Sequence, residues 1–405
     1  MGTDASHNLD ALIIGGGIAG LWTLDALDER GFAVALLEPG ALGAGQTLAS
    51  QGIIHGGLKY TLRGLFHRSA EAVSAMPERW RQSLAGNLRP DLSSVTVRSP
   101  STWLWRSESL RSKLGLLGAR SGLRSVPVEA SVAERPSILR GVPGTVYRVD
   151  EPVLDTLSLV RGFAAHHADR LIAAPGLPNA GGLTLTREGA SVRAEIPLGP
   201  HERLCLRARS IILAAGAWNE SLRAQLGLSP ALMQRRPLHM AVVRNAPAEL
   251  HGHCVDGAAT RVTITTSTDS AGRLVWQLGG QLAEEGVALT PEALVARAID
   301  EVRAVLPGVD LSATEWGTYR IDRAERATQA GLRPDDAQLV EDDASILTIW
   351  PTKLALAPRA AELIVDALRH RSIEPSGPRS IDGPRPRIGL PPWESMRFDP
   401  ARARP

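Results

Sequence analysis

The sequence has 405 residues, of which 43% are hydrophobic and 22% charged, and its formal net charge at pH 7 is +2. So small a charge does not favour nucleic-acid binding, and no apolar run reaches the roughly 18 residues that a membrane-spanning helix requires. The first residues have no basic stretch ahead of an apolar segment. We therefore predict neither a signal peptide nor a transmembrane helix, and a cytoplasmic location in which peripheral membrane attachment stays open.

The length exceeds that of one typical hydrophobic core, which predicts two domains or one elaborated domain. Cys205 and Cys254 are the only cysteines, and they lack the spacing of a metal or redox site. We therefore expect ordinary thiols in a reduced compartment, and no metal ion.

The N-terminal segment begins with an apolar strand pattern over residues 11–14, followed by a G-x-G-x-x-G run at Gly15, Gly17 and Gly20. A helical pattern over 21–30 and a second apolar strand over 32–37 come next, and the strand is followed by Glu38. In this order the elements predict a βαβ unit that binds FAD or NAD. Gly15 would make the tight turn, Gly17 would let a pyrophosphate approach the positive end of the helix, and Gly20 would let helix and strand pack closely. Glu38 is placed to hold ribose hydroxyls. The neighbours included among the predicted cofactor contacts are Ile18, Ala19 and Pro39.

Residues 41–62 form a turn-rich connection, whose glycines and small polar residues could wrap the pyrophosphate and the ring of the cofactor. The residues predicted to do so are Gly45, Thr47, Ser50, Gln51 and Gly52. His55 stands between two isoleucines and two glycines. From the residues alone it is either a packed histidine or an active-site group.

The βαβ unit followed by Ser50-x-Gly52-x-Ile-His55-Gly-Gly-Leu-Lys59-Tyr60 resembles the FAD-dependent D-amino acid oxidase superfamily. The resemblance is greatest to the branch that holds the flavin glycerol-3-phosphate and 2-hydroxyglutarate dehydrogenases. It implies FAD as the cofactor and places His55 at the flavin, as the base in substrate oxidation or as a polarising group. A nicotinamide-dependent enzyme is disfavoured, because only one dinucleotide fingerprint is present.

The middle of the chain alternates between helical and strand patterns. We predict helices over residues 63–82, 156–168 (with Asp155 as the N-cap) and 291–305, a hairpin over 183–197, and strands over 210–215, 238–244, 261–266 and 273–279. The resemblance implies that Gly216, after the strand at 210–215, lets the backbone approach the FAD. The last three strands suit an antiparallel sheet that covers the flavin.

The superfamily usually carries an arginine, in a Gly-x-Arg-Pro context, that pairs with the anionic end of the substrate. Gly331-Leu-Arg333-Pro334 is the literal match. The family spacing to the final flavin loop instead favours Arg320, which we predict to bind the substrate, with Arg333 as the alternative.

Residues 345–370 read as a strand, a turn and a helix that ends at His370. The triplet Thr352-Lys353-Leu354 resembles the last flavin loop of the glycerol-3-phosphate dehydrogenases, which implies that Lys353 and Leu354 contact the cofactor. Lys353 would lie near the pyrimidine end of the flavin and stabilise its anionic reduced form. The sequence has only two other lysines, Lys59 and Lys113, and this scarcity favours a specific role for Lys353.

The expected fold class is α/β, with a Rossmann-type FAD-binding domain and a second, mainly antiparallel-sheet substrate domain. The FAD-binding domain would be discontinuous, over residues 1–85, 150–230 and 315–370. The substrate domain would use residues 86–149 and 231–314. Residues 371–405 form a Pro/Arg-rich tail, expected to be extended or disordered, and able to lie on a partner subunit of a homo-oligomer.

The predicted function is hydride transfer from a small anionic hydroxy substrate, such as a 2-hydroxy acid or glycerol 3-phosphate, to FAD. The electron acceptor is oxygen, a quinone or a carrier protein. One alternative is an amine or D-amino acid dehydrogenase or oxidase of the same fold. The other is a flavin-bound redox sensor or assembly subunit without turnover.

Overall fold

The computed structural model describes residues 5–56, 75–106, 127–174, 182–199, 201–256, 259–329, 331–343 and 345–400. Lys59, Tyr60, Lys113 and most of the helix predicted over 63–82 lie outside these ranges. The helices within them are α1 (Ile18–Glu29), α2 (Met76–Leu84), α3 (Thr156–His166), α4 (Asn219–Gln225), α5 (Gln281–Glu285), α6 (Pro291–Val305) and α7 (Ala357–His370).

The strands are, in chain order, β1 (Ala5–Ile14), β2 (Val34–Glu38), β3 (Val97–Ser99), β4 (Thr102–Arg106), β5 (Val128–Ala130), β6 (Val146–Val149), β7 (Val153–Leu154), β8 (Leu171–Ala173), β9 (Thr184–Glu188), β10 (Ser191–Pro197), β11 (Arg203–Leu213), β12 (Met233–Arg244), β13 (Gly252–Asp256), β14 (Ala259–Thr268), β15 (Leu274–Gly279), β16 (Glu315–Arg326), β17 (Gln338–Glu341), β18 (Ile346–Trp350) and β19 (Asp399–Pro400). They form two large sheets and a small pair, β3 with β7.

The first sheet surrounds the glycine-rich turn, with the order β17-β18-β11-β1-β2-β8 and the β9–β10 hairpin beside β11. Its strands β18, β11, β1, β2 and β8 run parallel. Both faces of β1 are buried, because Ala11 and Ile13 pack in the cluster that holds α1 and α7, while Leu12 and Ile14 pack in the cluster of the hairpin. A parallel strand covered on both faces needs a continuous apolar run, and residues 11–14 supply it.

The second sheet is mainly antiparallel and has the order β19-β16-β12-β15-β14-β13-β4-β6-β5. Its outer face packs on α6, where Leu294, Ala298 and Val302 share a buried cluster with Val243 and Trp276. Its inner face meets the first sheet's loop at residue 49, because Gln277 and Tyr319 both donate hydrogen bonds to the carbonyl of Ala49. The α/β class with a second, mainly antiparallel sheet is confirmed.

The two sheets divide the chain differently from the predicted domains at residue 315, and the other predicted boundaries stay predictions. The strands β4 to β6 and β12 to β15, from the ranges 86–149 and 231–314, lie in the second sheet, whereas β3 of the first range pairs with β7. Strand β16 pairs with β12 along its whole length, from Glu315 opposite Arg244 to Arg326 opposite Met233. Residues 315–326 therefore belong to the second sheet, whereas the prediction placed them with the first.

Several local predictions match the observed elements closely. The helix over 291–305 has the predicted bounds, because Thr290 caps its first turn by accepting the N–H of Ala293 and Pro291 occupies its first position. Asp155 caps α3 by accepting the N–H of Ser158 at 2.6 Å. None of the helices in the described part of the chain combines the length and the apolar character that crossing a membrane requires.

Residues 372–400, which we name the C-terminal strap, lie against the same chain, so the described part of the tail is extended, which is the first of the two predicted states. The strap first follows the first sheet, where Ser376 donates its N–H to the carboxylate of Asp10 at 2.8 Å. It then pairs with the loop after β2: Leu42 donates to Arg387 O and accepts from Gly389 N, each at 2.9 Å.

The end of the strap crosses to the inner face of the second sheet. Trp393 is buried against Val242 and Val275, and its carbonyl accepts a hydrogen bond from Arg244 at 3.2 Å. Strand β19 then pairs with β16 at the sheet edge. The apolar residues of this Pro/Arg-rich segment are few, but Ile373, Ile381 and Trp393 are buried against the two sheets. The described part of the tail therefore lies on its own chain, and a contact with a partner subunit stays a prediction.

Candidate active site

Of the three fingerprint glycines at the start of α1, Gly15 and Gly20 have backbone environments that only glycine fits. Gly15 has a φ of +111°, and a Cβ built there would lie 2.5 Å from Ala215 Cα. A Cβ on Gly20 would collide with the carbonyl of Gly15. A Cβ on Gly17, by contrast, would meet only Thr47 Oγ1, at 3.4 Å. The surrounding residues therefore leave open space beside Gly17. A turn of this shape fits the pyrophosphate of a dinucleotide.

The N-cap residue of α1 is Gly17, which has no side chain to cap the first turn. Thr47 reaches this turn from the connecting loop and accepts the N–H of Ile18 at 3.0 Å. The helix end keeps its partial positive charge close to the space beside Gly17, which suits an anionic group. The assignments of Ile18, Ala19 and Thr47 to the cofactor stay predictions, and this geometry is consistent with them.

Glu38 at the end of β2 holds the glycine turn in shape. Its carboxylate accepts N–H groups from Gly16 at 2.6 Å and Gly40 at 2.7 Å. Burial raises its pKa, while the two backbone hydrogen bonds act in the opposite direction. Each carboxylate oxygen has a further lone pair, so these bonds leave room for a ribose hydroxyl. The ribose contact of Glu38, and the contact of Pro39 beside it, stay predictions.

The loop over residues 41–52 mixes conformational and packing roles. Gly45 has a φ of +86° with no neighbour within 4 Å of a built Cβ, so it serves the turn itself. Gly52 has a φ of +69°, and a Cβ there would collide with the carbonyl of Leu154. Ser50 donates its hydroxyl to the carbonyl of Thr47 at 2.8 Å. The loop is thus held by its own contacts, and the cofactor contacts of Gly45, Ser50 and Gly52 stay predictions.

The side chain of Gln51 points to the second sheet, and its contact with the cofactor stays a prediction. Its amide nitrogen donates to Thr263 O at 3.1 Å, Gln277 O at 3.0 Å and Thr265 Oγ1 at 3.3 Å. A Cβ on Gly279 would collide with its amide oxygen. Gln51 therefore joins the loop of the first sheet to the inner face of the second.

Gly216 follows β11 at the same edge of the sheet as the glycine turn. It has a φ of +57°, and a Cβ there would lie 3.6 Å from Gln46 Nε2 in the connecting loop. The preceding residue, Ala215, packs directly on Gly15. The strand thus returns the backbone to the dinucleotide turn, and the contact of Gly216 with FAD stays a prediction.

His55 lies in a cluster with two residues that the sequence did not indicate. Its Nδ1 is 3.3 Å from Glu151 Oε2, and the other oxygen of Glu151 accepts the N–H of Gly56 at 2.7 Å. The imidazole of His253, on β13, has its ring centre 5.7 Å from that of His55. One nitrogen of each histidine and a Glu151 oxygen lie within 4.8 Å of one another.

The three members of this cluster come from separate parts of the fold. Glu151 follows β6 and is almost fully buried, with 2% of its side chain exposed, whereas 22% of the His55 side chain is exposed. His253 comes from the second sheet, where its Nδ1 is 2.9 Å from Thr263 Oγ1. No local pattern marks Glu151 or His253, since one begins a proline-limited turn and the other lies in a short strand.

Lys353 is within electrostatic reach of Arg333, the arginine of the literal Gly-x-Arg-Pro match. Burial, together with the positive charge of Arg333, lowers the pKa of Lys353 to about 7, while Asp335, Asp336 and Glu325 act in the opposite direction. Both cations are half-buried. The charge of Arg333 therefore acts on the predicted last flavin loop, where the cofactor contacts of Lys353 and Leu354 stay predictions.

The prediction that Arg320 binds the substrate is wrong in this geometry. Its guanidinium donates to the carbonyls of Val287 at 3.0 Å and Leu289 at 2.9 Å, on the outer, helix-bearing side of the second sheet. The adjacent Tyr319 points inward and donates to Ala49 O at 2.9 Å. Because successive side chains of a strand point to opposite faces, Arg320 points away from the loop that approaches the cofactor.

Comparisons with known proteins agree with this architecture. A family model described as FAD dependent oxidoreductase matches residues 10–357. The probable FAD-dependent oxidoreductase PA4991 of Pseudomonas aeruginosa is 40% identical over 391 residues, which are 95% of this chain and 97% of that protein. The crystal structure of PA4991 superposes with a TM-score of 0.81 at 37% identity, and covers 96% of this chain and 98% of that one.

Two further relatives carry names that specify a substrate. Glycerol-3-phosphate dehydrogenase 1 of Mycobacterium tuberculosis is 29% identical over 254 residues, which are 55% of this chain and 44% of that protein. Glycine oxidase of Bacillus licheniformis is 22% identical over 369 residues, which are 89% of this chain and 92% of that protein. The two names divide between a hydroxy and an amino substrate.

Proposed function

Since the chain belongs to the FAD dependent oxidoreductase family, we propose that it oxidises a small anionic hydroxy compound of the 2-hydroxy acid or glycerol 3-phosphate type. Family membership makes the protein an FAD-dependent enzyme, and so answers the alternative of a flavoprotein without turnover. When bound, FAD supplies the redox chemistry by accepting a hydride. The residues of the chain must then bind the substrate, orient it and take its hydroxyl proton.

The position of His55 is the observation that supports a hydroxy substrate. His55 follows the loop over 41–52 directly, and its Nδ1 lies 3.3 Å from the buried carboxylate of Glu151. A hydroxyl group must lose a proton when its carbon loses a hydride, and imidazole is the usual base for this step near neutral pH. An amine can instead be oxidised from its neutral form without a base.

The anionic character of the substrate is inferred from Arg333 and Lys353. Two half-buried cations near each other are unfavourable, and the lowered pKa of Lys353 is one sign of this. A carboxylate or phosphate between them would offset both positive charges. The guanidinium of Arg333 can donate two parallel hydrogen bonds to such a group, so we assign substrate anchoring to Arg333 in place of Arg320.

The amine or D-amino acid substrate is the second candidate, because the name of the glycine oxidase relative specifies an amino acid. An amino acid carries the same carboxylate for Arg333 to bind, so only the group that reacts would differ. The electron acceptor, whether oxygen, a quinone or a carrier protein, and a homo-oligomeric state stay open predictions.

The test is an anaerobic titration of the purified protein, loaded with FAD, with 2-hydroxy acids, glycerol 3-phosphate and amino acids. We expect the visible absorbance of the flavin to bleach with an anionic hydroxy compound. Bleaching by amino acids alone would replace the proposal with its amine alternative. Bleaching by uncharged alcohols as readily as by the anions would contradict the role given to Arg333 and Lys353.

A further inference from the structure

We infer that Glu151 is a positioning residue, which orients the imidazole of His55 for proton transfer. The inference rests on the proposed function, since it needs His55 to act on the substrate. One oxygen of Glu151 lies 3.3 Å from His55 Nδ1, and the other accepts the N–H of Gly56 at 2.7 Å. A single carboxylate thus contacts the side chain of one residue and the backbone of the next, which limits how the ring can turn.

A purely structural role does not account for an acid at this position. The segments around His55 and Glu151 are already joined by backbone hydrogen bonds, from Ile54 N to Pro152 O and from Leu154 N to Gly52 O, each at 2.9 Å. Removing a carboxylate from water is strongly unfavourable unless charged or donor groups compensate it. An ordinary tie between these segments would therefore not need a side chain as buried as Glu151.

The contact also decides which imidazole nitrogen is available. A carboxylate at Nδ1 favours the tautomer with hydrogen on Nδ1, so Nε2 becomes the acceptor. The substrate O–H bond would break as the Nε2–H bond forms, and the imidazolium would then lie beside the negative charge of Glu151. The carboxylate would thereby favour both the correct tautomer and the protonated product of this step.

His253 is a second imidazole that faces this pair. Its Nδ1 lies 2.9 Å from Thr263 Oγ1, so that side of its ring is oriented by the second sheet and not by Glu151. A positive charge on His253 would oppose one on His55. The carboxylate of Glu151 therefore also offsets the repulsion between two neighbouring imidazoles.

The experiment compares Glu151→Gln and Glu151→Asp with His55→Ala in the FAD-loaded enzyme, using the substrate found in the anaerobic titration. We expect Glu151→Gln to slow the bleaching of the flavin about 10- to 100-fold, as loss of an orienting partner does elsewhere. The acid limb of the pH profile should move to lower pH, because the imidazolium loses a stabilising charge. Glu151→Asp keeps the charge and should hold the limb nearer its original pH.

Asp10→Asn is the matched control, because Asp10 is also a buried carboxylate that accepts backbone N–H groups, from Ala33 and Ser376, in the first sheet. It should leave the pH profile in place. Normal bleaching in Glu151→Gln together with slow bleaching in His55→Ala would overturn the inference alone. Normal bleaching in His55→Ala would overturn the proposed base as well. Loss of FAD from both Glu151 variants would assign Glu151 to the fold and also overturn the inference.

Discussion

The two ends of the proposed site, one for the dinucleotide and one for the substrate, are built by different physical means. At the dinucleotide end, backbone geometry does most of the shaping: Gly15 and Gly20 have no room for a side chain, and the carboxylate of Glu38 accepts backbone N–H groups. At the substrate end, charged and titratable side chains from distant segments are brought together, as with His55 and Glu151. Changes at the first end should therefore remove the cofactor, whereas changes at the second should slow turnover and leave FAD bound.

The largest effect expected is loss of FAD from Gly17→Ala. A Cβ at this position is tolerated by the protein, since its nearest neighbour is Thr47 Oγ1 at 3.4 Å, but it occupies the space proposed for the pyrophosphate. FAD affinity should fall at least about 100-fold, or about 2.7 kcal/mol, while the melting temperature of the FAD-free protein is unchanged. Fluorescence titration with FAD and thermal melting measure the two quantities.

Substitutions at two other glycines serve as controls for Gly17→Ala. Gly20→Ala should lower the melting temperature as well as FAD affinity, because its Cβ collides with the carbonyl of Gly15. Gly199→Ala should change neither, since nothing lies within 4 Å of a Cβ at that position. Wild-type FAD affinity in Gly17→Ala would break the contrast between the two ends.

The next effect in size is expected from His55→Ala at the substrate end. Loss of a general base usually slows the reaction by about 10²- to 10⁴-fold, and we expect bleaching of the flavin to slow by this factor. The FAD content should match that of the unchanged enzyme. His166→Ala, at an exposed histidine at the end of α3, serves as the control. Loss of FAD from His55→Ala would move this residue to the cofactor-binding end.

A smaller effect should separate the two arginines. Arg333→Ala removes the proposed partner of the substrate anion, and a hydrogen bond between charged groups contributes about 1.5 to 3 kcal/mol, so KM should rise roughly 10- to 100-fold. Arg320→Ala should leave KM unchanged, because its guanidinium donates to carbonyls on the outer side of the second sheet. Steady-state kinetics of both variants decide between them, and the reverse pattern would contradict the assignment.

The smallest effect concerns pH. The pKa of Lys353 is lowered to about 7 from its ordinary 10.5, so the folded protein loses this charge above pH 7 while the unfolded chain keeps it. Affinity for the substrate anion should therefore weaken several-fold as pH rises through 7. The destabilisation caused by the buried charge is full below pH 7 and is relieved between about pH 7 and 10.5.

Lys353→Met tests both consequences. Its KM should depend less on pH, and its melting temperature at pH 6 should exceed that of the unchanged enzyme, because the buried charge is gone. A KM profile identical to that of the unchanged enzyme would show that Lys353 does not bind the anion.

How far the sequence predicts the molecule depends on how local the determining interactions are. The helix over 291–305 was predicted with its observed bounds, because Thr290 and Pro291 define its start within two residues. The dinucleotide turn was likewise predicted from a short run of glycines. Arg320 was predicted wrongly, since the inward face of β16 is fixed only by its pairing with β12 and by the contact of Tyr319 with Ala49.

Other residues could not be found from local patterns for a related reason. Along the chain, Arg333 is closer to the last flavin loop than the family spacing favours. In the fold, its charge is near enough to lower the pKa of Lys353. The contact of Glu151 with His55 could not be predicted, because it forms only when residues 52–56 and 151–154 lie side by side in the fold. The Pro/Arg-rich composition of residues 371–405 left disorder open, because it contains few apolar residues. Those residues, such as Trp393, are buried in pockets that only the complete fold supplies.

The C-terminal strap limits how far the two sheets can separate. Gly389 is hydrogen-bonded to Leu42 beside the first sheet, and Trp393 is buried in the second. The four residue steps between them span at most about 14 Å when fully extended. Pro391 already adopts an extended conformation, with φ −56° and ψ 150°, whereas Pro392–Glu394 form a single 3-10 turn, so the tether could lengthen mainly by unwinding that turn. A hinge motion that admits substrate must therefore be small, or must first break the hydrogen bond of Gly389 or expose Trp393.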